Sequence, residues 1–180
     1  MTIRATTVVA VRRNGKTAVA GDGQVTIDDT IFKATAEKVR TMRDGEVVVG
    51  YAGAAADALT LFERLEEALD EYSGNLPRAA LELVKQWRTD RALRRLEALL
   101  LVADAKQVFL VSGNGDLIVP DDDVVAIGSG GVYATAAGKA LLRETDLSAR
   151  EIAERAMGIA AEMCVFTNER ITIYELPRQQ

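Results

Sequence analysis

A chain of 180 residues, 48% hydrophobic and 27% charged, can build one domain with a substantial core and has little room for a second. Its 22 Lys and Arg against 27 Asp and Glu give a net charge of −5, which lacks the positive field that nucleic acid demands of a partner. No apolar run approaches the roughly 20 residues that cross a bilayer, and the absence of histidine excludes Ser-His-Asp and Cys-His catalysis and imidazole-based zinc sites.

Met1 to Ala5 lack the apolar stretch of a secretory signal. A lone Cys164 allows no internal disulfide and suits the reducing cytoplasm, where the chain is expected to reside. In chain order, Thr6–Arg13 is a short β-branched run followed by Asn14-Gly15, a hairpin turn signal, and the partner strand is Thr17–Ala20. A second hairpin pairs Lys38–Met42 with Val47–Ala52 across Asp44-Gly45. The period then turns helical: Leu59, Phe62, Leu65, Leu69 and Tyr72 form a stripe closed by Gly74, and a second helix begins near Pro77 and carries Leu81, Val84 and Trp87. Strands return at Ala98–Ala103, Val108–Val111, Leu117–Val119, after the turn Gly113-Asn114-Gly115-Asp116, and Val124–Ile127. Two further helices follow, the second opened by a capping box over Ser148-Ala149-Arg150-Glu151 with Leu147 and Ile152 as its staple. Ile171–Glu175 is the last strand.

Clustered strands with short turns favour antiparallel sheets, and their continuous apolar runs require cover on both faces. The predicted class is therefore α+β, a single-domain four-layer αββα sandwich.

With no imidazole, a base must be Lys, a carboxylate, Tyr or an amine terminus. Thr6-Thr7 opening a strand is what β-propensity alone produces. If the chain is cut after Ala5, however, Thr6 gains an α-amine beside its own hydroxyl, and an amine with a pKa of about 8 serves as a general base near neutral pH. Asp22, between Gly21 and Gly23, reads either as a turn former or as the carboxylate that holds Lys38, and Lys38 as a surface lysine or as the cation beside Thr6. The Gly128-Ser129-Gly130-Gly131 loop lacks the Lys-Ser/Thr of a P-loop, so no nucleotide is expected on this chain. Asp121-Asp122-Asp123 reads as a solvated loop rather than a metal cluster. Arg88, Arg91, Arg94 and Arg95, interleaved with Asp90 and Glu97, read as helix-face contacts.

In combination these motifs are more specific. Thr6-Thr7, Ala20-Gly21-Asp22-Gly23-Gln24, Lys38-Val39-Arg40, Gly50-Tyr51-Ala52-Gly53, Trp87-Arg88-Thr89-Asp90-Arg91, Gly113-Asn114-Gly115-Asp116, Ala126-Ile127-Gly128-Ser129-Gly130-Gly131 and Cys164-Val165-Phe166-Thr167-Asn168 occur in this order. Together they closely resemble the HslV (ClpQ) family, bacterial relatives of proteasome β subunits, from Thr6 to about Leu176. The resemblance implies the N-terminal-nucleophile hydrolase fold, with 1–5 as a pro-segment removed on maturation and 6–180 as the peptidase domain. It implies Thr6 as nucleophile with its own amine as base, Lys38 supported by Asp22 as the activating cation, Ser129 beside the amine, and the Gly50 N–H as oxyanion donor. It also implies a monovalent cation, Na+, on the carbonyls of Ala161, Cys164 and Thr167. Its partners would be copies of itself in two stacked hexameric rings, an AAA+ unfoldase resembling HslU (ClpY), and protein substrates, with neither nucleic acid nor membrane. Competing readings are an amidohydrolase of the same fold acting on a small molecule, and an unprocessed structural ring subunit.

Overall fold

The computed structural model describes residues 3–4, 6–53, 55–91, 93, 98–112 and 115–177. Its first strands are β1 (Ile3–Arg4), β2 (Thr7–Arg13), β3 (Lys16–Gly21), β4 (Val25–Ile27), β5 (Thr30–Lys33), β6 (Val39–Met42) and β7 (Val47–Gly53). Helices α1 (Ala55–Glu71) and α2 (Leu76–Thr89) precede β8 (Ala98–Ala103), β9 (Val108–Ser112), β10 (Leu117–Ile118) and β11 (Val124–Gly128), and α3 (Gly131–Glu144) and α4 (Ala149–Met163) precede β12 (Thr172–Leu176).

The strands form a five-stranded sheet, ordered β10-β9-β8-β7-β6, and a four-stranded sheet, ordered β11-β2-β3-β12. Every pairing in both is antiparallel. Asn14 and Gly15, both with positive φ (51° and 73°), make the β2–β3 turn in the conformation that matches strand twist.

Three apolar clusters define the layers. Val9, Val11, Ala18 and Ala20 pack with Ala134, Ile152, Ala153 and Met157 of α3 and α4. Val49, Leu100, Val102 and Val111 pack with Leu61, Leu65, Leu83 and Trp87 of α1 and α2. Between the sheets lie Val8, Ala10, Val19, Val48, Leu101 and Ala103. Alternate residues of β2 and β8 thus enter different clusters, which is why these strands are apolar at nearly every position. The predicted four-layer sandwich is the one observed. Ser148 caps α4 by accepting from the Glu151 N–H while the Glu151 side chain accepts from Ser148, the expected capping box. No helix among the described residues is long and apolar enough to cross a membrane.

Some elements differ from the sequence reading. Leu59 and Leu81 are 47% and 46% exposed; the buried lines run instead through Ala58, Leu61, Leu65 and Leu69 in α1 and Ala80, Leu83, Val84 and Trp87 in α2. Alanines supply part of each apolar face, so a stripe traced through large residues alone is out of phase. Lys38 lies one residue before β6 rather than within a strand. A small third sheet, β1-β4-β5, was not anticipated. Its members are two to four residues long and all of β5 is exposed, so it carries too little periodicity to read. Met1, Thr2, Ala5, Arg94, Arg95, Glu97 and the Gly113-Asn114 half of its turn lie outside the described residues.

Leu101 lies at the centre of the inter-sheet cluster with no exposed surface. Leu101→Ala should lower unfolding free energy by about 2–5 kcal/mol, read as a lower urea midpoint with an unchanged slope.

Candidate active site

The two sheets bring Asp22 and Lys38 together from opposite sides. Asp22 follows β3 of the four-stranded sheet, and Lys38 precedes β6 of the five-stranded sheet. Both side chains are almost wholly buried, and Lys38 Nζ donates to Asp22 Oδ1 at 2.8 Å. The same oxygen accepts the Thr7 N–H at 2.8 Å. Oδ2 accepts the N–H groups of Gln24 at 2.9 Å and Asn168 at 3.3 Å. Asp22 is therefore the centre of a fully hydrogen-bonded carboxylate, and Lys38 is neither solvated nor on the surface. Burial lowers the Lys38 pKa below the ordinary lysine value, and the Asp22 charge and hydrogen bond oppose that shift.

Thr6 lies at the entry to β2, one peptide from the amide that shares Asp22 Oδ1 with the ammonium. It is buried, and its Oγ1 has no hydrogen-bond partner. Its φ is 139°, a region disfavoured for a β-branched residue and costing on the order of 1–3 kcal/mol. The Thr6 carbonyl accepts the Ser129 N–H at 2.8 Å. Gly128, paired with Thr7 across β11 and β2, has φ 89°, and a Cβ there would overlap the Thr6 carbonyl oxygen. Ser129, as expected, adjoins Thr6, and it is the backbone N–H that makes the contact. Gly50 is placed by β7: it pairs with Val39, and the next residue, Tyr51, donates its N–H to the Lys38 carbonyl at 3.2 Å.

Residues that sequence reasoning did not single out complete the arrangement. Thr7 Oγ1 accepts the Gly130 N–H at 2.9 Å and lies 2.7 Å from Thr167 Oγ1. A Cβ on Gly130 would come within 2.5 Å of Thr7 Oγ1, so the loop needs glycine there. Gln24 Nε2 donates to the Val165 carbonyl at 2.8 Å. These partners are separated by 123 to 160 residues in sequence, and no local spacing signals them.

Ala161, Cys164 and Thr167 are grouped at the C-terminal end of α4, where Cys164 is the C-cap and its carbonyl accepts the Thr167 N–H at 3.0 Å. Cys164 is buried. The Asp121–Asp123 loop is exposed, with Asp122 bonded to Lys139 and Asp123 3.9 Å from Arg12. Among the described residues no cluster of His, Cys, Asp or Glu could hold a metal ion.

Residues 3–176 match the family model for the proteasome subunit. The chain is 57% identical over 176 residues to an ATP-dependent protease subunit HslV of Aquifex aeolicus, covering 98% of this chain and 100% of that protein. It is 58% identical to the protein of the same description from Pseudothermotoga lettingae, over 96% of this chain and 98% of that one. The crystal structure of eukaryotic HslV from Trypanosoma brucei superposes with a TM-score of 0.89 at 44% identity, over 94% of this chain and 98% of that one. With the buried carboxylate–ammonium pair beside Thr6, the fold and these likenesses agree: the chain belongs to the proteasome subunit family.

Proposed function

We propose that this chain is the peptidase subunit of an ATP-dependent protease, hydrolysing peptide bonds with Thr6 as its N-terminal nucleophile. The observation that carries the reading is the unpartnered, buried Thr6 hydroxyl next to the Asp22–Lys38 pair. A buried hydroxyl without a partner costs about 1–3 kcal/mol and calls for an explanation. Once the Ala5–Thr6 bond is cut, the new α-amine takes the proton from Thr6 Oγ1 as the oxygen attacks the substrate carbonyl carbon. The oxyanion that forms accepts the Gly50 N–H. As it collapses, the scissile C–N bond breaks, the amine's proton passes to the departing nitrogen, and the acyl group remains esterified to Thr6. A water activated by the same amine then hydrolyses the ester. Lys38, held by Asp22, keeps a positive charge near the amine and hydroxyl and lowers the pKa of both. Ser129 fixes the Thr6 carbonyl through its N–H and holds its hydroxyl near the amine.

Carbonyls of Ala161, Cys164 and Thr167 fit a monovalent cation such as Na+, because a helix C-terminus presents carbonyl oxygens and the negative end of the dipole. Bound there, the ion would neutralise these dipoles and fix the turn that carries Thr167 and Asn168. The chain has no P-loop, so unfolding energy must come from a separate AAA+ ATPase of the HslU (ClpY) kind. One domain cannot enclose a chamber, whereas copies joined by one repeated contact close into rings; two stacked hexamers in the cytoplasm, fed with unfolded protein, is the reading taken over from the relatives.

Intact-mass analysis of an active preparation should show a chain starting at Thr6, and an active enzyme retaining Met1 or Thr2 would defeat the amine-base mechanism. Thr6→Ala and Lys38→Ala should each remove hydrolysis of a fluorogenic peptide, whereas Cys164→Ala should keep it. The Lys38→Ala chain should still fold, because Asp22 retains the N–H donors of Thr7, Gln24 and Asn168; circular dichroism checks this. Native mass spectrometry should find about twelve chains, or six where ring stacking is weak, with protein degradation requiring the ATPase and ATP. A monomer that cleaves small amides and ignores the ATPase would favour the amidohydrolase instead.

A further inference from the structure

Lys38 is delivered to the site by a segment that no ladder supports. Between the end of β5 at Lys33 and the start of β6 at Val39 the chain has no regular structure, yet the ammonium must be held to within a few tenths of an ångström to serve Thr6. Asn168 is where that segment is tied down. Its side-chain Nδ2 donates to the Ala34 carbonyl at 3.0 Å, while its Oδ1 accepts the Gly23 N–H at 3.2 Å and the Arg170 N–H at 3.1 Å. Its backbone N–H donates to Asp22 Oδ2 at 3.3 Å. One carboxamide thus joins the loop after Asp22 to the segment before Lys38, and the residue's own amide fixes the carboxylate between them. The seam it spans is tight: a Cβ on Gly23 would come within 2.5 Å of the Ala34 carbonyl oxygen, and the Ala36 N–H donates to the Gly23 carbonyl at 2.8 Å.

We propose that Asn168 is a positioning residue of the peptidase, setting the reach of Lys38 to Asp22 and Thr6 by clamping the Ala34–Lys38 segment to the Gly23 loop. The role requires a group that donates and accepts at once, which the carboxamide does and neither carboxylate nor methyl can. The inference rests on the reading of Thr6 and Lys38 given above.

The test compares the mature oligomer with Asn168→Ala and Asn168→Asp forms, assayed for hydrolysis of a fluorogenic peptide at one fixed Na+ concentration. Asn168→Asp keeps the shape and the acceptor but loses the donor to Ala34, so it should fail as Asn168→Ala does. Both should lose about 10- to 100-fold in kcat, the cost of a misplacement of about 1 Å, with KM within about twofold and melting temperature and oligomer size little changed. A purely structural residue would instead lower the folded fraction, leaving kcat per folded site at the parent value. If either variant is folded and keeps kcat within twofold of the parent, the clamp is overturned. If Asn168→Ala does not fold, Asn168→Asp alone decides by the same criterion. Failure of the underlying reading has a separate signature: a parent chain without Thr6-dependent hydrolysis, seen with Thr6→Ala as control.

Discussion

The ion pair between Asp22 and Lys38 is the contact on which the rest of the site depends. Taking an ammonium and a carboxylate out of water costs several kcal/mol per ion, and their attraction repays this only where geometry is good and the remaining lone pairs are satisfied. Here the carboxylate accepts N–H groups from Thr7, Gln24 and Asn168 as well as the ammonium. Those donors come from the start of β2, the loop after β3 and the turn after α4, so satisfying one carboxylate fixes three distant stretches. The pair is thus costly as a stabilising device and effective as a specifying one, in keeping with a charge retained for chemistry rather than for folding.

That arrangement also explains why the neighbouring backbone is unusual. Thr6 is held in a disfavoured conformation by the Ser129 N–H on its carbonyl, and Gly128 leaves room for that carbonyl where any side chain would collide. Strain of this kind persists only where the surroundings over-determine it. The β2–β11 ladder, the Thr7–Gly130 hydrogen bond and the Asp22 contact to Thr7 all do so.

Much of this was legible in the chain. The continuous apolar runs of β2, β3, β7 and β8 announced strands covered on both faces, because alternate residues feed different clusters and no position is free to be polar. The capping box of α4 and the Asn14-Gly15 turn are local signals and were found where expected. Thr6, Asp22, Lys38 and Ser129 gain their significance through order and resemblance; composition contributed the absence of histidine, which left few other bases. The side chains of Thr7, Thr167, Asn168 and Gln24 could not be read, because each bonds to a partner that is remote in sequence and near only after the sheets stack. The phases of α1 and α2 slipped for a simpler reason: alanine fills a helix face without announcing it. The β1-β4-β5 sheet is too short for its pattern to differ from a loop.

Two glycines described only in passing govern the dimensions of the whole. A Cβ on Gly21 would come within 2.5 Å of Val39, and one on Gly50 within 2.6 Å of Val8. Each lies in one inner sheet and faces a valine of the other, so hydrogen atoms stand where methyl groups would push the layers apart. Asp22 and Lys38 are the next residues along, on opposite sheets. The sandwich therefore narrows at this end, and the thickness of its core is a gauge for the length of the ion pair. Because packed interiors transmit small displacements rather than absorb them, a methyl group added between the sheets at Ala10, well away from Thr6, would act on the chemistry by widening that gauge.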